Sequence, residues 1–257
     1  MGSRLLVQLL SAMRPGGTGQ VIHWQSKSGE ADKMNQTNKS ISKRHALIAY
    51  IIVFYSIWTL WEFWVKPFIN NTIETEWIAQ LIKSGVIKNL VWTLPAILLV
   101  NYFETDVFVG LKEMFTGKIP LRKYLPVFLI FTVYLLIGAF LQKGRLAVNE
   151  TFGINELIIV LFVGITEEMV FRGWLLNAAA SGRKKWVPVI VVSLLFLFIH
   201  FPVWIYEGCL IENFRNFAFL SPLVLGIIFG WIFLKSKNIW IPILLHMYWD
   251  FFMFLFC

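Results

Sequence analysis

Cysteine and acidic residues are both scarce in this chain. The two cysteines, Cys209 and Cys257, have no metal-site spacing, and nothing in the sequence suggests that they pair. Aspartate and glutamate number 15 against 23 lysines and arginines, which leaves a net charge of +8. Because no basic helix or aromatic platform for nucleic acid accompanies this charge, we expect no nucleic-acid partner. The basic residues instead indicate cytoplasmic loops and contact with anionic lipid.

Charge of either sign is also sparse, since charged residues make up only 15% of the chain. Hydrophobic residues account for 58%, whereas a soluble domain is nearer half apolar. The excess lies in blocks long enough to cross a bilayer, which takes about 20 residues per helix. Composition therefore predicts an all-α fold, a polytopic transmembrane helical bundle embedded in the lipid bilayer.

The apolar blocks suggest how the chain is organised. Residues 1–45 are polar and predict a disordered cytoplasmic tail, of which 1–33 is expected to be an upstream extension or a cloning remnant because Met34 resembles an ordinary start. Residues 46–257 are expected to form the membrane-embedded domain. Seven candidate spans follow one another at 46–65, 86–103, 124–142, 154–178, 186–206, 218–234 and 239–256. The amphipathic segment 77–88 is expected to lie in the membrane interface before the second span.

Lysine and arginine are denser at one set of block ends than at the other. The denser ends carry Lys39, Lys43, Arg44, Lys112, Lys118, Arg122, Lys123, Arg183, Lys184, Lys185, Lys235 and Lys237. The opposite ends carry Lys66, Lys83, Lys88, Lys143, Arg145 and Arg215. By the positive-inside rule this pattern predicts a cytoplasmic N-terminus and, with seven spans, a C-terminus outside.

Ionisable residues interrupt three of the apolar blocks. They are Glu167, Glu168, Arg172, His200, His246 and Asp250. A charge near the bilayer centre costs roughly 2.5–3.5 kcal/mol on insertion scales, so such residues by default indicate a functional centre. With a rise of about 1.5 Å per residue, the carboxylates and imidazoles of all three blocks reach a similar depth. The sequence therefore predicts one polar reaction centre inside the bundle.

Helical spacing suggests how these groups pair. Glu168 and Arg172 are four residues apart, so they share a helix face and can form an ion pair. Glu167 is rotated by about 100° from Glu168 and need not join that pair, which makes it the candidate general base. His246 and Asp250 are also four residues apart, so the carboxylate can set the tautomer of the imidazole.

Phe196 shares a face with His200 and is expected to pack beside its imidazole. Two uses of the buried carboxylates and histidines remain open. A glutamate and a histidine can polarise a water, while a second histidine or an arginine stabilises the oxyanion formed on a peptide carbonyl. Two histidines and one carboxylate can instead hold zinc, with His200, His246 and Glu167 as the candidate ligands. The HExxH spacing of soluble metalloproteases is absent.

The three motifs resemble those of a known family in order, spacing and membrane context. They are Glu167-Glu168-x3-Arg172, Phe196-x3-His200 and His246-x3-Asp250. Together they resemble the CAAX protease and bacteriocin-processing family, often called Abi, which includes the type II CAAX prenyl endopeptidases. The resemblance covers about residues 150–256, where we therefore expect the catalytic core. Because some members have eight spans, seven to eight are expected here.

The resemblance implies an intramembrane glutamate-dependent endopeptidase. In that mechanism Glu167 and His200 activate water, and the other residues support them or stabilise the oxyanion. These supporting residues are Glu168, Arg172, His246 and Asp250. Some members are described as metalloproteases, so zinc remains an alternative, although we favour a metal-free reaction.

The expected substrate is a membrane-associated peptide, with or without a lipid. A composition rich in Phe, Ile, Lys and Asn suggests a bacterial plasma membrane, where a signalling-peptide or bacteriocin precursor is the favoured substrate. The alternative function is a non-catalytic bacteriocin-immunity or membrane scaffold protein on the same fold. A transporter is the least favoured, because neither a repeat nor a pair of matched interrupted spans is visible in the sequence.

Overall fold

A computed structural model describes residues 42–182 and 184–256. These residues form nine helices and contain no strand, which confirms the predicted all-α fold. The helices are α1 Ser42–Thr72, α2 Glu76–Tyr102, α3 Leu111–Thr116, α4 Leu121–Lys143, α5 Ile154–Glu168 continued by Met169–Leu176 and Asn177–Ala179, α6 Trp186–Tyr206, α7 Leu210–Arg215, α8 Leu220–Ser236 and α9 Trp240–Phe256.

The chain divides into two units, Met1–Ala46 and Leu47–Cys257. The contacts described below all lie within the second unit. The expected polar tail of residues 1–45, including the expected extension 1–33, lies outside the described residues except for 42–45, which begin α1.

Seven of the helices correspond to the seven apolar blocks. Four of them, α1, α2, α4 and α6, are long and apolar enough to cross a membrane. The helices α8 and α9 are equally apolar but shorter, with 17 residues each. The remaining helix of the seven is α5, which carries the motif of Glu167, Glu168 and Arg172. The protein is an integral membrane protein built as a helical bundle.

The second span begins earlier than the sequence suggested. Segment 77–88, expected to lie in the membrane interface before the second span, is the first half of α2, which runs without interruption from Glu76 to Tyr102. No proline interrupts this half, and α5 packs along it. The interior of the bundle therefore covers side chains that the sequence had placed at a membrane surface.

Helix ends predicted to lie on one side of the membrane are brought together. At one end, the Ile239 N–H donates to the Met114 carbonyl at 3.0 Å. At the opposite end, the Asn149 N–H donates to the Leu255 carbonyl at 2.8 Å. The helices α4 and α9 therefore run in the same direction, as the pattern of loop charges predicts.

Two glycines allow close approaches between the helices that surround Glu167, Glu168 and Arg172. A Cβ on Gly164 would lie 2.9 Å from Met247 Cγ, so α5 and α9 are in contact here. A Cβ on Gly226 would lie 2.9 Å from Ser193 Cβ and 3.1 Å from Ser193 Cα, so α8 lies against α6. These contacts bring the motifs of α5, α6 and α9 into one place.

Candidate active site

Glu168 is the centre of the polar cluster. Its Oε1 accepts a hydrogen bond from Arg172 Nη1 at 2.8 Å and lies 2.8 Å from His246 Nδ1. Glu168, Arg172 and His246 are 0%, 1% and 5% exposed. Because a carboxylate accepts, His246 Nδ1 carries the proton in this contact. The predicted Glu168–Arg172 pair is present, and His246 joins it.

Arg172 is held by more than its carboxylate. Its Nη2 donates to the Gly226 carbonyl of α8 at 3.2 Å. The guanidinium carbon lies 4.6 Å from the ring centre of Phe196 and 5.4 Å from that of Phe229. A guanidinium suits this setting because its planar fork can donate in two directions while its face stacks on aromatic rings.

His246 faces two further carboxylates with its second ring nitrogen. Nε2 lies 3.5 Å from Asp250 Oδ2 and 3.8 Å from Glu167 Oε2. The Glu167 and Asp250 side chains are 12% and 20% exposed, more than that of Glu168. The sequence had assigned Asp250 the role of setting the imidazole tautomer. Glu168 is the closer partner, because the contact between α5 and α9 brings it against Nδ1.

His200 lies where α6 changes course. The helix is interrupted at Ile199, and His200 Nδ1 donates to the Phe196 carbonyl at 3.1 Å. A carbonyl can only accept, so a neutral His200 ring has its lone pair at Nε2. Within the described residues His200 has no hydrogen bond to the carboxylates of the cluster.

Phe196 packs against both histidines, of which the motif spacing had predicted only the contact with His200. Its ring centre lies 5.6 Å from that of His200 and 5.8 Å from that of His246. Phe229 of α8 stacks on His246 from another side, at 5.3 Å and 30°. The sequence pointed to Phe196 but not to Phe229, which is one of many apolar residues in its span.

The sequence analysis also missed contributions from α1 and α2. Trp58 Nε1 donates to the Ile199 carbonyl at 2.8 Å, beside His200, and Tyr55 donates to the Leu195 carbonyl. The Lys88 ammonium of α2 lies 4.8 Å from the ring centre of Trp58. No sequence signal identified these residues, because tryptophans and a lysine near a span end ordinarily anchor a helix at the membrane interface.

Zinc bound by His200, His246 and Glu167 was predicted only as an alternative. Within the described ranges, no group of three or more His, Cys, Asp or Glu side chains is arranged to hold a metal ion. Nδ1 of His200 and Nδ1 of His246 are engaged by a carbonyl and a carboxylate, which leaves Nε2 of each ring as the nitrogen that could bind a metal.

A cluster of carboxylates, histidines and an arginine inside a bundle of apolar helices defines a class, the helical membrane proteins with a buried polar centre. Sequence comparison gives the family. A family model described as type II CAAX prenyl endopeptidase Rce1-like matches residues 150–252, which is less than half of the chain. The resemblance noted from the motifs is confirmed over these residues. No curated protein and no solved structure matched the chain.

Proposed function

We propose that the protein is an intramembrane endopeptidase in which Glu167 and His200 activate the water that cleaves a peptide bond. The observation that carries this proposal is the different environment of two adjacent glutamates. Glu168 is fully buried and bonded to Arg172 and His246. The Glu167 side chain is 12% exposed and its carboxylate lies 3.8 Å from His246 Nε2, beyond hydrogen-bond distance, so it can accept a proton from water.

The chain's own groups supply each step of the reaction. Glu167 takes a proton from water while His200 Nε2 accepts its other hydrogen in a hydrogen bond, and the water oxygen bonds to the carbonyl carbon. His246, held by Glu168, is the nearest candidate donor to the oxyanion. The C–N bond then breaks, and Glu167 returns its proton to the leaving amine. Arg172 and Asp250 keep His246 and Glu168 in place.

A membrane-associated peptide is the proposed substrate. The site lies within apolar helices, so a peptide must reach it through the bilayer or from its surface. The family description refers to prenylated CAAX peptides, which supports testing a lipidated C-terminal cysteine. A location in a bacterial plasma membrane, with the N-terminus in the cytoplasm, remains our proposal from composition and loop charge.

The proposal is tested with Glu167→Gln, which keeps the shape of the side chain but removes the base. The probe is a quenched fluorescent peptide with a C-terminal CAAX sequence, with and without a farnesyl group. We expect cleavage to fall by about 10²–10⁴-fold. Glu113→Gln is the control, because Glu113 is 55% exposed and pairs with Lys237 at the surface.

Cleavage by Glu167→Gln at the wild-type rate would contradict the proposal. If the wild-type protein cleaves neither peptide, the peptides of membranes carrying wild-type and Glu167→Gln protein are compared by mass spectrometry. Identical peptide content in the two membranes would favour the non-catalytic immunity or scaffold function.

We also propose that the reaction needs no metal. The test is metal analysis of the purified active protein, followed by chelation. We expect less than stoichiometric zinc and unchanged cleavage after chelation. Stoichiometric zinc, with activity lost on chelation and restored by zinc, would overturn this proposal and make His200, His246 and Glu167 ligands.

A further inference from the structure

The helix α1 donates two hydrogen bonds to α6, although α1 lies outside the region that the family model matches. Tyr55 Oη donates to the Leu195 carbonyl. Trp58 Nε1 donates to the Ile199 carbonyl at 2.8 Å. Leu195 and Ile199 are four residues apart, so they stand at the two ends of one helical turn, here called the 195–199 turn. Tyr55 and Trp58, three residues apart, share one face of α1 and hold both ends of this turn.

The 195–199 turn contains the bond that orients His200. His200 Nδ1 donates to the Phe196 carbonyl at 3.1 Å, and the two rings pack against each other at 5.6 Å. The hydrogen bond made by one ring nitrogen sets the direction of the other. A rotation of the 195–199 turn would therefore move the imidazole and change the direction of Nε2.

The same turn lies at a break in α6. The helix is interrupted at Ile199, and Pro202 has no N–H with which to continue the helical hydrogen bonds. In a membrane, backbone groups around such a break are satisfied by side chains of neighbouring helices. The hydroxyl of Tyr55 and the indole of Trp58 are donors of this kind, so they limit how the turn can relax.

Trp58 donates from a fixed position. It is 5% exposed, packs edge-on against Trp92 at 5.0 Å and stacks on Phe54 at 5.8 Å. A ring packed on both sides has little freedom to rotate, so its N–H keeps one direction. The position of the Ile199 carbonyl is thereby linked to the packing of α1 against α2.

We infer that Tyr55 and Trp58 are positioning residues, which hold the 195–199 turn and so aim His200 Nε2 at the reacting water. The inference rests on the proposed role of His200 in activating that water. The two side chains bond to backbone carbonyls of α6 and act on the reaction only through His200. A misplacement of about 1 Å in an active site can cost on the order of 100-fold in rate. Loss of either donor should therefore lower kcat rather than the affinity for the peptide.

The test compares Trp58→Phe with Trp61→Phe on the peptide that wild-type protein cleaves, with rates expressed per folded protein. Trp61 is the matched control, because it lies on the same helix, is 3% exposed and packs edge-on against Trp92 at 5.5 Å. Its indole N–H has no hydrogen-bond partner within the described residues. We expect Trp58→Phe to lower kcat by about tenfold, with KM changed by less than about threefold. Trp61→Phe should change kcat by less than about threefold.

Tyr55→Phe and Tyr50→Phe form a second matched pair, since each removes one hydroxyl from α1. The Tyr50 hydroxyl donates to the Trp92 carbonyl of α2 at 3.2 Å rather than to α6. We expect Tyr55→Phe to lower kcat by about fivefold or more, and Tyr50→Phe to leave it within about twofold of wild type. Because Tyr55→Phe removes a single oxygen, this pair decides the question if Trp58→Phe does not fold.

A wild-type kcat in Trp58→Phe would overturn the inference, as would equal losses in Trp58→Phe and Trp61→Phe. The inference and the proposed function fail in different ways. If His200→Ala cleaves normally, the proposed role of His200 itself is wrong. If His200→Ala is inactive while Trp58→Phe and Tyr55→Phe behave as wild type, only the positioning role of α1 is wrong.

Discussion

Adjacent residues in this site have different environments because a helix turns by about 100° per residue. Glu168 faces the centre of the bundle, where two charge-assisted hydrogen bonds offset the loss of water around its carboxylate. Glu167 faces His246 Nε2 at 3.8 Å and remains partly exposed. Burial thus separates a structural carboxylate from one that is free to react.

Removing Arg172 should destabilise the protein more than removing Glu167. Arg172→Ala would leave the Glu168 carboxylate buried with His246 as its remaining bonded cation partner and would cost roughly 3–5 kcal/mol by analogy with soluble interiors. Glu167→Ala removes a partly exposed carboxylate and should have a smaller effect. The melting temperatures of both variants in detergent provide the measurement. Equal melting temperatures would show that the Glu168–Arg172 pair contributes little to stability.

A lysine should not replace Arg172. The guanidinium donates from Nη1 to Glu168 and from Nη2 to Gly226, in two directions at once. A lysine ammonium lacks this planar fork, so Arg172→Lys should keep the charge but lose the bond to α8. We expect a stability between those of wild type and Arg172→Ala, measured by thermal unfolding in detergent. Wild-type stability in Arg172→Lys would mean that charge alone suffices.

At the level of elements, the site depends on how closely the helices approach one another. The helix α6 carries His200, and α9 carries His246 and Asp250. The helix α5, which packs on α9, carries Glu167, Glu168 and Arg172. Contact between α8 and α6 at Gly226 also presents the carbonyl that Arg172 binds. A wider gap between these helices would separate the charged groups without altering any of them.

Alanine substitutions at two helical glycines should therefore have opposite effects. In Gly226→Ala the new Cβ would lie 3.1 Å from the backbone of Ser193, so the helices must move apart. We expect a loss of about 1–3 kcal/mol and reduced cleavage. Gly138→Ala in α4 meets nothing within 4 Å and should be neutral or stabilising by up to about 1 kcal/mol. Similar melting temperatures for the two variants would argue against close packing at Gly226.

At the level of the whole molecule, loop charge and the shared direction of α4 and α9 predict one orientation in the membrane. A reporter fused after Cys257 should be found outside, and one placed in the segment 104–123 should be cytoplasmic. Protease protection or a compartment-specific reporter enzyme provides the measurement. A cytoplasmic C-terminus would require an even number of spans, and because α4 and α9 run in the same direction the miscount would then lie before α4, in residues 66–103.

Much of the candidate site could be predicted from sequence because its motifs are local. The i,i+4 spacing of Glu168 with Arg172 and of His246 with Asp250 places each pair on one helix face wherever the helix lies. The helical class followed in the same way, since a bilayer requires every backbone polar group to be satisfied within the segment. The length of the apolar blocks and the spacing of the ionisable residues were therefore sufficient to predict the helical class and the two pairs that share a helix face.

Only the tertiary structure decided which groups meet between helices. Sequence paired His246 with Asp250, whereas the contact at Gly164 brought Glu168 closer to the ring. Sequence also treated Lys88 as a charge at a membrane surface, whereas the early start of α2 placed it against Trp58. Such contacts depend on the rotation and separation of packed helices. These follow from side-chain fit along the whole interface rather than from the spacing within any one helix.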